Sequence, residues 1–91
     1  MKFMVTWKVA PEDFPKAAER FLSTGSPMPQ GVSMLGRWHA PGSTRGFLLV
    51  ETDDLTALAG HAAEWSDVLS AEVTPVLDDV EAGAAIAKVT S

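Results

Sequence analysis

The chain has 91 residues, with 7 Lys and Arg against 12 Asp and Glu, and a formal net charge of −5. That length supports one domain, residues 1–91, with no room for a second core. With no cysteine, disulfides, thiolate nucleophiles, iron–sulfur clusters and Cys-ligated zinc are excluded. The acidic balance and scattered basic residues argue against nucleic acid and against anionic membrane surfaces. Lys8 ends the apolar stretch Phe3 to Trp7 too early for a secretory signal. No other apolar run approaches the roughly 18 residues of a membrane span, so the expected location is cytoplasmic.

Lys2 to Val9 alternates as a strand, with Phe3, Val5, Trp7 and Val9 on one face and Met4 and Thr6 on the other. After the break at Ala10-Pro11, Phe14, Ala17, Ala18, Phe21 and Leu22 recur at the spacing of a helix stripe. Asp13 is its expected N-cap, Pro15 lies in its first turn and Gly25 marks its end. Ser26 to Gly31 connects it to a second strand, Val32 to Ala40. There Met34, Gly36 and Trp38 are expected on one face, and Ser33, Leu35, Arg37 and His39 on the other. Pro41-Gly42 carries a type II turn signature, and Arg45 to Thr52 returns as the third strand.

Asp53-Asp54 then caps a second helix with the stripe Leu55, Leu58, Ala59, Ala62 and Trp65. Val68 to Leu77 is the fourth strand, and Asp78-Asp79 opens an Ala-rich helix reaching about Lys88. The order β-α-β-β-α-β predicts an α+β, ferredoxin-like fold: a four-stranded antiparallel sheet in spatial order 4-1-3-2, plus a short C-terminal helix. Pro75 suits the edge position this gives the fourth strand.

Right-handed crossovers put both main helices on one face of the sheet. Yet Phe47 and Leu49 alternate with Leu48 and Val50, so both faces are apolar. A face left to water reads polar. The small C-terminal helix hides only part of the second face, and a second copy of the chain is the expected cover.

Arg37 and His39, two apart on a strand, project from one face and form the leading candidate site. Arg37 would hold a carboxylate or phosphate and His39 would shuttle a proton. The alternative is a solvated or subunit-contact pair bound to a carboxylate. Glu51 continues the Phe47/Leu49 face as a polar residue in a row of apolar ones. Like Glu72, it either pairs with a cation or carries a raised pKa useful in acid–base work. Trp7, Trp38 and Trp65 either line a pocket or fill the core. His61 lies off the stripe of its helix and reads as exposed; no metal-ligand spacing is present and no cofactor is called for.

Three segments together carry a resemblance. They are Met1 to Trp7, the hairpin Leu35-Gly36-Arg37-Trp38-His39-Ala40-Pro41-Gly42-Ser43, and Glu64 to Asp67 leading into Glu72 to Asp79. The chain resembles a family of small prokaryotic proteins grouped as a domain of unknown function, and through it the dimeric α/β-barrel superfamily. The resemblance implies a homodimer of face-to-face ferredoxin-like sheets and carries no reaction with it.

The functional expectation is a homodimer binding a small aromatic or carboxylate metabolite near the hairpin. Its ligand-binding residues would be Trp38, Trp65, Trp7 and Glu51, with Arg37 and His39 as the groups for any catalysis. The alternatives are a non-catalytic interaction or sensor domain, and an enzyme like the superfamily's cofactor-independent monooxygenases or isomerases. Haem ligation through His39 or His61 comes last.

Overall fold

A computed structural model describes residues 1–90. In chain order the elements are β1 (Lys2–Lys8), a 3-10 turn (Pro11–Asp13), α1 (Phe14–Thr24), β2 (Val32–His39), β3 (Arg45–Thr52), α2 (Leu55–Glu64), β4 (Ser70–Val76) and α3 (Asp79–Thr90). The strands form an antiparallel sheet in the order β2-β3-β1-β4. This is the expected α+β arrangement, with 4-1-3-2 read from the opposite edge. Pro75 pairs with Phe3 on the edge strand β4, where its missing N–H interrupts no second ladder.

The element ends follow local chemistry. Gly25 takes a left-handed φ of 70° and donates its N–H to the Phe21 carbonyl at 2.8 Å, closing α1. Asp13 precedes α1, but its side chain makes no cap hydrogen bond; the 3-10 turn leads the backbone directly into the helix. Asp54 caps α2, its Oδ1 accepting the Ala57 N–H at 3.0 Å. The hairpin turn closes with the Ser43 N–H on the Ala40 carbonyl at 2.8 Å, and Gly42 supplies the positive φ of 98°.

One face of the sheet packs against α1 and α2. Phe3 and Val5 of β1, Val32 of β2 and Leu48 and Val50 of β3 meet Leu58 of α2 in one buried cluster. Val9, Ala17 and Val68 form a second, and Trp7 packs against both. Thr52, also buried, donates its hydroxyl to the Gly31 carbonyl at 2.7 Å and accepts the Asp54 N–H at 2.9 Å.

Three sequence expectations are corrected here. Glu51 is on no core row: the buried face of β3 is Gly46, Leu48, Val50 and Thr52, and Glu51 lies on the outer face beside Lys2. In β2, a bulge leaves Leu35 without a partner between Met34 and Gly36. Met34, opposite Val50, therefore shares the inner face with Arg37 and His39, while Gly36 and Trp38 face outward. Val68 precedes β4; its N–H reaches the Trp65 carbonyl at 3.0 Å in the turn after α2, and its side chain is fully buried. The outer face stays largely open, in keeping with the small size of the C-terminal helix: no residue of α3 is buried, and Phe47 and Trp38 remain exposed.

Candidate functional site

A pocket of about 520 Å³ lies between the inner sheet face and the two main helices, within the size range of small-molecule sites. Its walls are largely apolar and aromatic: Val5, Trp7, Leu48 and Ala71 from the sheet, Phe14, Ala17 and Phe21 from α1, and Trp65 and Leu69 beyond α2. Five polar side chains reach it, those of Ser26, Arg37, His39, Ser43 and His61, and no carboxylate lines it. A smaller hollow of about 300 Å³, bordered by Arg20 and Glu64, shares Ser26, His61 and Trp65 with it.

The strand register sets the polar end. Arg37 is opposite Leu48 and His39 opposite Gly46, both on the inner face of β3, and side chains directly opposite on antiparallel strands lie on the same side. Gly46 matters because the six-membered ring of the Trp7 indole occupies the place a Cβ there would take. The missing side chain lets Trp7 lie flat over β3 as a pocket wall.

Arg37 is anchored by the loop after α1. Its Nη1 donates to the Ser26 carbonyl at 2.8 Å and its Nη2 to the Gly25 carbonyl at 2.9 Å. Gly25 and Ser26 have positive φ, 70° and 45° respectively, and the left-handed turn aims both carbonyls at the guanidinium. The Ser26 backbone is steadied by its N–H on Thr24 Oγ1 at 3.1 Å. Arg37 also lies 5.1 Å from the centroid of Phe21. Two of its five N–H groups are thus engaged by neutral carbonyls, and no carboxylate among the described residues pairs with it. The cation is held in place with its charge uncompensated.

His39 meets Phe21 edge-on at 5.1 Å and Trp7 at 5.6 Å. His61 enters from α2, and its pKa lies below the ordinary histidine range. Burial is the main cause; Glu64 pulls the other way and the nearby Arg37 charge lowers it further. The neutral imidazole is therefore favoured there. At the far end Arg20 clamps α1 to the turn after α2: it is bidentate to Asp67 at 3.0 and 2.7 Å, reaches the Glu64 carbonyl at 3.1 Å, and covers Trp65 at 5.0 Å. That pairing holds the Asp67 carboxyl well below its usual range.

Of the residues singled out from sequence, Arg37, His39, Trp7 and Trp65 therefore come together around one cavity. Trp38 and Glu51 are brought to the opposite face, Trp38 exposed over Gly36 and Glu51 3.6 Å from Lys2 Nζ. Glu72 also faces outward, with Ser70 and Thr74. His61, expected to be exposed off the stripe of its helix, is instead half-buried and lines the pocket. The signal was its spacing, three residues after Leu58 and four before Trp65, which puts all three on one side of α2. Phe21, counted only as core, also belongs to the site as the ring between Arg37 and His39.

The match to known families covers the whole described chain: residues 1–90 fit the model of a domain of unknown function, DUF3303. The chain belongs to the DUF3303 family. No curated protein and no solved structure gives a significant match. The described residues of this DUF3303 domain include no helix long and apolar enough to cross a membrane. They also contain no cluster of three or more His, Asp or Glu arranged to hold a metal ion.

Proposed function

We propose that this protein is a homodimer that binds a small aromatic carboxylate in the pocket between the inner sheet face and the helices. The observation that carries the reading is Arg37: a fixed guanidinium with N–H groups to spare, in a cavity of aromatic and aliphatic walls that contains no acidic side chain. A ligand carboxylate would neutralise it, and aromatic carbon would lie between Trp7, Phe21 and Trp65. The reading gives Arg37 the anion and His39 the proton exchange with the bound acid, with His61 facing them from α2. Had Arg37 and His39 been paired with carboxylates on an open face, the interaction-domain reading would be favoured.

The dimer half of the reading rests on the outer face. Trp38, Phe47, Leu35 and Met34 are large apolar residues exposed to water, and the first three lie on or beside that face, with Met4 and Leu49 half-buried among them. An exposed apolar patch of this kind, rimmed by Lys2, Arg45, Glu51 and Glu72, marks a protein contact. Two-fold self-association satisfies it with one patch, and the dimeric α/β-barrel resemblance points the same way.

Calorimetric titration with 2-naphthoate and its uncharged isostere 2-naphthamide tests the ligand half. Charge-assisted hydrogen bonds of roughly 1.5–3 kcal/mol predict that Arg37→Gln weakens naphthoate by about 10- to 100-fold. Naphthamide affinity should stay within about threefold, since it does not draw on the charge. Equal loss for both probes, or no binding of naphthoate to the unaltered protein at millimolar concentration, contradicts the reading.

A further inference from the structure

The helix α3 is the part of the molecule that the single chain leaves without a role. It has no buried residue, and Val80, Ile86 and Val89 are each more than three-fifths exposed. The radius of gyration is 15.3 Å, where a compact chain of this length has about 12 Å; the long axis is 53 Å against 27 and 17 Å. An isolated helix of 12 residues is marginal in water, so α3 needs a surface to lie on.

Its root shows where that surface is. Asp78 and Glu81 form a reciprocal cap: Asp78 Oδ1 accepts the Glu81 N–H at 2.8 Å, and Glu81 Oε1 accepts the Asp78 N–H at 3.1 Å. Lys2 Nζ lies 3.5 Å from both carboxylates and 3.6 Å from Glu51. Lys2 shares the outer face with Met4 and Thr6, so this hub fixes the first turn of α3 on the uncovered side of the sheet.

We infer that α3 is an exchanged arm: in the dimer, each copy's α3 crosses the outer sheet face of the other copy. The inference rests on the dimer reading above and adds what holds it together. A second copy fits because one chain offers both halves of the contact, an apolar helix and an apolar sheet face, without joining them. The dimensions agree. At 1.5 Å per residue α3 is about 18 Å long, and the four strands span about 14 Å from edge to edge. Lying there, α3 covers about 180 Å² of the face's roughly 480 Å², and the reciprocal arm doubles the contact that each partner makes. A lipid surface is disfavoured, because α3 carries Asp79 and Glu81 against a single Lys88.

The cysteine-free chain makes the test direct. A full-length protomer carrying Ile86→Cys is mixed with a mass-tagged protomer carrying Thr6→Cys and treated with a bismaleimide spanning about 10 Å. An Ile86→Cys and Glu19→Cys mixture serves as reference, because Glu19 lies on the helix layer. Exchange predicts cross-linked heterodimer at a yield at least about tenfold above the reference, since docking raises the effective concentration of the pair. A dimer by light scattering with cross-link yield no higher than the reference overturns the exchanged arm and leaves the dimer reading standing. A monomer by light scattering overturns both.

Discussion

Trp7 and Gly46 are a mutually dependent pair, and the dependence can be measured. A Cβ added at Gly46 would fall inside the Trp7 indole, which packs against both core clusters and cannot swing into solvent without opening them. Overpacking of this kind costs about 1–3 kcal/mol. Alanine in place of glycine inside a strand returns about 0.5–1 kcal/mol, so Gly46→Ala should lose up to about 2.5 kcal/mol net. For a domain of this size that lowers Tm by up to about 20 °C. In a Trp7→Leu background the clash is absent and only the strand gain remains, so the same substitution should there stabilise by about 0.5–1 kcal/mol. Urea unfolding of the four proteins at one concentration, with m unchanged, gives the cycle. A Gly46→Ala cost of equal size and sign in both backgrounds refutes the account of how the pocket wall is built.

Three further outcomes follow from the same structure. Leu58→Ala removes a side chain with no exposed surface and should cost about 2–5 kcal/mol in urea unfolding. Thr52→Val leaves the Asp54 N–H and the Gly31 carbonyl, both only part-buried, without their partner and should cost about 0.5–1.5 kcal/mol. His61 has a lowered folded-state pKa, so the unfolded chain binds its proton more readily; stability is fully present above about pH 6.5 and declines as pH falls towards the folded pKa. A His61→Gln protein should lose that part of the acid-side decline, and an unchanged pH profile in it would contradict the half-buried neutral imidazole.

The strands and helices were legible because the apolar residues repeat with clear periods and the turns carry Gly, Pro and Asp at the expected places. The parity of β3 was harder, since Phe47/Leu49 and Leu48/Val50 are equally apolar. The deciding signal was at the strand ends: Arg45 and Glu51 share one face, Gly46 and Thr52 the other, and charge belongs on the uncovered side. The β2 bulge also had a cue, an isolated Gly36 within a strand pattern, yet its consequence for Trp38 follows only from pairing with β3. His61 read as exposed because it lies beside the stripe through Leu58, and the pocket wall that half-buries it comes from other elements. Placing Arg37 needed the loop at Gly25 and Ser26, whose carbonyls come to it from 11 and 12 residues away. No local pattern encodes such a contact.

The chain has 3 tryptophans, and their indole N–H resonances separate the two faces of the sheet. Titration of the isotope-labelled protein with 2-naphthoate, followed by NMR, therefore asks directly where an aromatic carboxylate binds. Binding in the proposed pocket shifts the Trp7 and Trp65 indole signals and leaves Trp38 in place. A shift confined to Trp38, with Trp7 and Trp65 unmoved, would contradict the account.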